Sequence, residues 1–382
     1  TGKIGISELA HRYISSASIE NFQTDIDLKA TKQKGDIRIY GSTIFIGREP
    51  VYLDGSISGG RNPVIDLRLR FNEFSYNRSA GGIPKSLYPA LDNLRIDGSI
   101  TGTFLIHLET ALPRSLKYSF EGRADTPAVI SLAKNIDPRI LKYPFIHSVR
   151  MPDGSRHSFM VGPGNPDYTP LNAIPDTLKS AVLISEDGMF FTHKGFSRKH
   201  IRDSIVQNLE AGRFVRGAST ISMQLAKNLY LTGEKSVSRK FQETIITLAL
   251  EQNLEKKRML EIYLNIVEWG KGIYGVAQAS RYYFGKAPSE LLPEEAAFLA
   301  TILPNPRRNW RQNPLQRLST NWTGYVHHLL CLMYRRGDVT MEELQAAGVP
   351  EDKIQRVALG GRGDSRQELP PPVAEETAES AP

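Results

Sequence analysis

The spacing of hydrophobic residues changes once along this chain, and that change limits the fold more than any other feature. In the first part, runs such as Asp36-Ile37-Arg38-Ile39-Tyr40, Val64-Ile65-Asp66-Leu67-Arg68-Leu69-Arg70-Phe71 and Thr103-Phe104-Leu105-Ile106-His107-Leu108 alternate apolar with polar residues. A period of two sends successive side chains to opposite faces of a strand, so this part predicts a sheet with one wet face. After Asp176 the period becomes helical, almost to residue 350. Residues 146–175 include Gly162-Pro163-Gly164-Asn165-Pro166 and read as a Gly/Pro-rich connection. The expectation is therefore an α+β chain. A β-rich domain covers residues 1–147, a mainly α domain covers 148–350, and a disordered tail covers 351–382, where Pro370-Pro371-Pro372 and an Ala/Glu/Ser run favour no packed core.

With 382 residues the chain is long enough for two domains, each with its own core. Within the β part, Leu53-Asp54-Gly55-Ser56-Ile57-Ser58-Gly59 recurs 43 residues later as Ile96-Asp97-Gly98-Ser99-Ile100-Thr101-Gly102. Short periodic β units stack because each leaves an apolar face for its neighbour, and Asp-Gly turn chemistry alone also produces such a pair. The pattern resembles the repetitive β proteins of the AsmA-like type, which carry lipids in an apolar groove. A net charge of +7 and a pI near 9.3 favour anionic partners, whether nucleic acid, acidic lipid headgroups or a phosphorylated substrate, although a charge excess on the surface also serves solubility alone. The single cysteine, Cys331, sits in Leu329-Leu330-Cys331-Leu332-Met333 and reads as a buried structural thiol; an intramolecular disulfide is impossible. No apolar run approaches the ~18 residues that span a bilayer, and no signal peptide is visible.

Four segments carry chemistry. Glu186-Asp187-Gly188-Met189-Phe190-Phe191-Thr192-His193-Lys194-Gly195 places two adjacent carboxylates at the end of an apolar helix, where one could be desolvated and act as a base. Gly217-Ala218-Ser219-Thr220-Ile221-Ser222-Met223-Gln224-Leu225-Ala226-Lys227-Asn228-Leu229 predicts a capped helix with Thr220, Gln224 and Lys227 on one face. Arg239-Lys240-Phe241-Gln242-Glu243 opens a helix with Phe241, Ile245, Leu248 and Ala249 toward the core, and with two cations and a carboxylate on the other side. Lys256-Lys257-Arg258-Met259-Leu260-Glu261-Ile262-Tyr263-Leu264-Asn265 is a packing helix running into Val267-Glu268-Trp269-Gly270-Lys271-Gly272.

In order and spacing these four motifs closely resemble the glycosyltransferase family 51 domain, the peptidoglycan glycosyltransferase found alone or fused to transpeptidases in penicillin-binding proteins. The resemblance runs from about Ile174 to Pro306, and Tyr283-Phe284-Gly285-Lys286 looks like the monofunctional members. It implies a lysozyme-like helical lobe, Glu186 as catalytic base and Glu243 as the second functional carboxylate. It also implies that Ser219, Thr220, Gln224, Lys227, Asn228, Arg239 and Lys240 line the substrate cleft. Three positions depart from the pattern. Met223-Gln224 stands for a usual Gln-Gln pair, Ser197 replaces a frequent Asp, and Tyr325-Val326-His327-His328-Leu329-Leu330 occupies the place of an Arg-rich fifth motif.

The implied reaction joins lipid II units into β-1,4-linked glycan strands with inversion and releases polyprenyl pyrophosphate. A base takes the proton of the sugar 4-hydroxyl as it attacks the anomeric carbon, and Lys227, Arg239 and Lys240 receive the departing pyrophosphate. Glu243 orients those cations or holds a divalent ion, Mg2+ or Mn2+; the first role is favoured because no acids with metal-ligand spacing surround it. Expected partners are lipid II, the growing lipid-linked strand, the membrane surface and other cell-wall synthesis proteins, with no nucleic acid. The implied location is the periplasmic face of the cytoplasmic membrane, with an anchor ahead of Thr1. Two rivals stand beside this reading. A lytic muramidase would also use one decisive Glu but has little use for a cationic pocket, and a non-catalytic envelope scaffold or lipid-binding protein would act through the β domain and keep the helical domain as a relic.

Overall fold

The computed structural model describes residues 2–9, 19–151, 153–215, 217–231, 236–307 and 313–359. Strands and helices segregate along the chain as α+β. The strands of the first part are β1 (Gly2–Leu9), β2 (Ile19–Asp27), β3 (Ala30–Gln33), β4 (Asp36–Ile46), β5 (Glu49–Ile57) and β6 (Val64–Ser75). After the short helix α1 (Tyr76–Gly81) come β7 (Arg95–Asp97), β8 (Ser99–Glu109), β9 (Leu112–Ala124), β10 (Ala128–Ser131), and the hairpin β11 (Phe145–Arg150) and β12 (Arg156–Val161). The helical part comprises α2 (Asp176–Glu186), α3 (Arg198–Ala211), α4 (Ile221–Tyr230), α5 (Val237–Asn253) and α6 (Lys256–Ile266). A ribbon of β13 (Glu268–Gly270) and β14 (Ile273–Tyr274) precedes α7 (Val276–Phe284), α8 (Pro293–Ile302), α9 (Thr320–Arg336), α10 (Met341–Ala346) and α11 (Glu351–Leu359).

Two compact units are woven from these elements. One contains Thr1–Arg139 and His193–Leu254; the other contains Ile140–Thr192 and Glu255–Pro382. The first therefore combines the sheet with helices α3, α4 and α5, and the second holds α2 together with everything from α6 onward.

In the first unit the main sheet runs β1-β2-β4-β5-β6-β8-β9, antiparallel throughout, with β3 paired to β4. Its register converts the period-two sequence into rows. Arg38, Ser56, Asp66, His107 and Lys117 lie side by side across five strands, and the neighbouring row of the opposite face is Ile39, Gly55, Leu67, Ile106 and Tyr118. The two copies of the Asp-Gly-Ser repeat hold different places. Gly55 lies within β5, and Asp54 accepts a hydrogen bond from Gly41 N at 2.7 Å. Gly98 sits at φ +109° between β7 and β8, a conformation open to glycine, and its N–H bonds Asp97 Oδ1 at 2.9 Å. Along β9, Arg202 of α3 donates to the carbonyls of Arg114 and Leu116, at 2.9 and 3.3 Å, occupying backbone acceptors that would otherwise template another strand.

The second unit has an apolar core built by helices α2, α8 and α9. Leu178, Ala181 and Val182 of α2 pack with Ala296, Phe298, Leu299 and Ala300 of α8 and Leu330 and Met333 of α9, all buried. Trp322 Nε1 donates to Thr301 Oγ1 at 3.0 Å, satisfying a polar atom inside that core. Gly270 is required by close approach: an added Cβ would lie 2.4 Å from the Tyr283 hydroxyl, which bonds the Trp269 carbonyl at 3.0 Å. Cys331 is buried as expected, and burial is what pushes its thiol pKa up.

The Gly/Pro-rich stretch is a folded element rather than a plain connection. Residues 145–150 (β11) pair in register with residues 156–161 (β12), and the turns after β12 are pinned to α6. Thr169 N and O pair with the Asn265 side-chain amide at 2.8 Å each, while Glu261 accepts from Leu171 N and from the Tyr168 hydroxyl, both at 2.8 Å. These partners are about 90 residues away in sequence, so no local pattern announces them. At the other end, residues 351–359 of the expected tail form α11, with Ile354 buried beside α9; residues 360–382 lie outside the described residues.

Candidate active site

Glu186 is the last residue of α2 and is half-buried. Helix α2 ends there because Asp187 turns extended, at φ −161°, with its N–H still bonded to the Leu183 carbonyl. Of the two adjacent carboxylates it is Asp187 that loses all contact with solvent, while Glu186 keeps some. Tyr263 of α6 is fully buried near both acids. Burial first, then the negative charges of Glu186 and Asp187, raise its phenol far above the ordinary range, so it stays protonated. Phe190, also buried, has the Lys256 ammonium 4.3 Å from its ring centre. All of these groups belong to the second compact unit.

The cationic group belongs to the first unit. Helix α5 starts at Ser236, whose hydroxyl accepts from Arg239 N at 3.1 Å. One turn in, the Glu243 carboxylate is 2% exposed and receives Arg239 Nη1 on one oxygen and Lys240 Nζ, at 2.5 Å, on the other. Lys240 Nζ also donates to Ser219 Oγ at 2.9 Å, tying the loop before α4 to α5. The sequence reading put Glu243 on the helix side away from the core; it is buried instead, because α4 and the chain before α3 close over that side. Phe241 and Leu248, expected inward, are only half-buried, whereas Ile246 and Leu250 are fully buried. The Arg239 side chain is 17% exposed and that of Lys240 42%, so Lys240 is the cation better placed to reach a ligand.

The remaining expected residues lie on or beside α4. Thr220 is its N-cap, accepting from Met223 N at 3.3 Å and donating to Gly195 O at 2.6 Å. Gly195 has φ +88°, and a Cβ there would meet Thr247 at 2.8 Å; this explains the glycine that closes the Glu186 motif. Gln224, Lys227 and Asn228 follow along α4, half-buried. Met223 points into the interior at 5% exposure, so the departure from a Gln-Gln pair puts an apolar side chain in an apolar place. Ser197, the other substitution, caps α3 by accepting from His200 N at 3.2 Å. Tyr325 to Leu330 lie within α9 with Val326, Leu329 and Leu330 buried, a packing role. Tyr263 faces inward as its helix pattern implies, but its nearness to Glu186 and Asp187 and the Ser222 hydroxyl bond to Glu251 at 2.5 Å are not legible in the sequence; both depend on helices meeting in space.

A divalent ion does not fit Glu243. Both of its oxygens are occupied by cations, and among the described residues no group of three or more His, Cys, Asp or Glu side chains is arranged to hold a metal. The geometry suits orientation of Arg239 and Lys240, whose two positive charges exceed the one negative charge by a single unit.

Residues 156–328 match the family model described as Transglycosylase. Among curated relatives, a biosynthetic peptidoglycan transglycosylase of Nitrosomonas eutropha is 51% identical over 143 residues, 37% of this chain and 59% of the relative. A protein of the same name from Thiobacillus denitrificans is 47% identical over 146 residues, 38% and 62% of the two chains, and one from Dechloromonas aromatica is 46% identical over 151 residues, 40% and 65%. The chain spans about three fifths of the length of these relatives.

Proposed function

We propose that this chain, whose residues 156–328 match the Transglycosylase family model, polymerises lipid II into β-1,4-linked glycan strands. The observation that carries the reading is the buried Glu243 clamped by Arg239 and Lys240, with Lys240 also on Ser219. A leaving pyrophosphate is already ionised and calls for fixed cations rather than a proton donor. A clamp with a net charge of +1 and an accessible ammonium meets that need, whereas a lytic enzyme must protonate a sugar alcohol.

In this mechanism the carboxylate of Glu186 removes the proton from the 4-hydroxyl of the acceptor sugar. The resulting oxygen nucleophile attacks the anomeric carbon of the lipid-linked donor from the face opposite the pyrophosphate. The new C–O bond forms as the bond to the phosphate oxygen breaks, which inverts the configuration. Lys240 and Arg239, with Lys227 of the neighbouring helix, take up the charge of the polyprenyl pyrophosphate, and Glu243 holds the first two in position.

The reading includes action outside the cytoplasm at a membrane surface, because the substrate carries a polyprenyl tail. Ile201, Ile205 and Leu209 form an exposed stripe along α3, followed by Phe214, 77% exposed, and Val215. Such a surface suits shallow insertion at a headgroup boundary. No described helix is long and apolar enough to cross a membrane. Glu186→Gln should reduce elongation of purified lipid II by at least about 100-fold with an unchanged circular dichroism spectrum. Near-normal elongation by that variant would remove Glu186 from the role of base.

A further inference from the structure

Helix α5 carries Arg239, Lys240 and Glu243 on one side, and its other side is fastened to the N-terminal β region. At about 100° per residue, Ser238, Gln242, Ile245, Ala249 and Gln252 form a single stripe, roughly 150° around the helix from the cationic group. Ile245 and Ala249, in the middle of that stripe, are buried. The polar residues at its ends hold main-chain groups of the preceding part of the chain. Ser238 Oγ donates to Leu87 O at 2.8 Å, and Gln242 Oε1 accepts from Ala90 N at 2.8 Å. Gln252 acts as a strand would, accepting from Val129 N at 3.0 Å and donating to Pro127 O at 2.5 Å. Between these bonds the Tyr88 ring packs on Phe241, with centroids 5.9 Å apart, and β10 lies along α5.

The fastened segments, residues 87–90 and 127–129, lie outside the family match, which begins at residue 156. An ordinary accessory domain on a flexible connection would not spend buried glutamine and serine side chains on backbone groups of the neighbouring segment, since each such bond fixes position and orientation. We propose that the N-terminal β region positions α5, and through it the Arg239–Lys240–Glu243 clamp, with Ser238, Gln242 and Gln252 as the positioning residues. Misplacing a catalytic group by about 1 Å from a distance can cost ~100-fold in rate. The fastening thus gives residues 1–139 a direct hold on the transferase site. The inference rests on the polymerase reading only for what the clamp does, not for the fastening itself.

The test uses the full chain with Gln242→Leu, Gln252→Ala and the pair. Hydrogen–deuterium exchange of residues 239–247 and affinity for inorganic pyrophosphate are read beside lipid II elongation. The pair should speed exchange in that segment at least tenfold and weaken pyrophosphate binding about tenfold, and Gln252→Glu, which keeps the acceptor for Val129 N, should fall between Gln252→Ala and the parent. If Gln242→Leu does not fold, Gln252→Ala alone decides, since Gln252 is exposed. Unchanged exchange and unchanged pyrophosphate affinity in a folded variant would overturn the proposal, reducing the contact to passive packing. Should the parent fail to elongate lipid II at all, the polymerase reading falls while the exchange and binding results still decide the fastening.

Discussion

Replacing Glu243 by Gln separates an orienting carboxylate from a bystander. The substitution keeps size and one acceptor oxygen but removes the negative charge that Arg239 and Lys240 share. Hydrogen bonds to charged groups are each worth about 1.5–3 kcal/mol, yet the Lys240 side chain is 42% exposed and water screens its share strongly. Most of the loss therefore comes from Arg239, 17% exposed against a carboxylate at 2–3%. A net cost of about 2 kcal/mol follows, because the Gln carbonyl still accepts one bond; for a unit of this size that is a fall in Tm of roughly 4–8 °C. The charge of the group rises from +1 to +2, so affinity for pyrophosphate should hold or increase while kcat for lipid II elongation falls, the cations being bound but less fixed. Scanning calorimetry, pyrophosphate titration and a lipid II elongation assay read the three quantities. An unchanged Tm together with unchanged kcat would refute the clamp, and a loss of pyrophosphate affinity with altered Mg2+ dependence would refute orientation in favour of a metal role.

Other consequences can be checked independently. His147 is 4% exposed, its Nε2 has no hydrogen-bond partner among the described residues, and burial holds its pKa at about 4. Because the folded form resists a proton that the unfolded form binds below pH ~6.5, its contribution is complete above that value. It is lost as pH falls toward about 4. Urea midpoints should therefore drop across that window by an amount equivalent to roughly 3 kcal/mol, and His147→Leu should flatten that part of the profile. Gly195→Ala should lower Tm by several degrees, since an alanine must adopt φ +88° with its Cβ 2.8 Å from Thr247; the cost is about 1–3 kcal/mol, and an unchanged melt would show that the turn is not constrained. Phe214→Ser with Ile205→Ser should weaken binding to anionic lipid vesicles about tenfold or more, given ~1.5–3 kcal/mol for each buried apolar side chain, without changing solution stability. Equal vesicle binding by parent and variant would locate the membrane contact elsewhere.

The sequence by itself determined the class of the chain and the identity of its chemical motifs, because those features are local. A period of two builds the rows of the sheet whatever lies beyond it, and Ser197, Thr220 and Ser236 begin helices through bonds that reach only three residues ahead. Cys331 in its apolar run was legible as a core thiol for the same reason. Tertiary structure alone decided which faces became interior. Glu243 repeats at a helical surface position in sequence yet is buried, since the elements that cover it come from other parts of the chain. The stretch at 146–175 shows only glycine and proline until Asn265 and Glu261 supply its hydrogen bonds, and the stripe on α5 that meets Leu87, Ala90 and Val129 looks like any amphipathic helix. Burial and pairing across more than 80 residues depend on which surfaces meet, and a chain read in order carries no record of that.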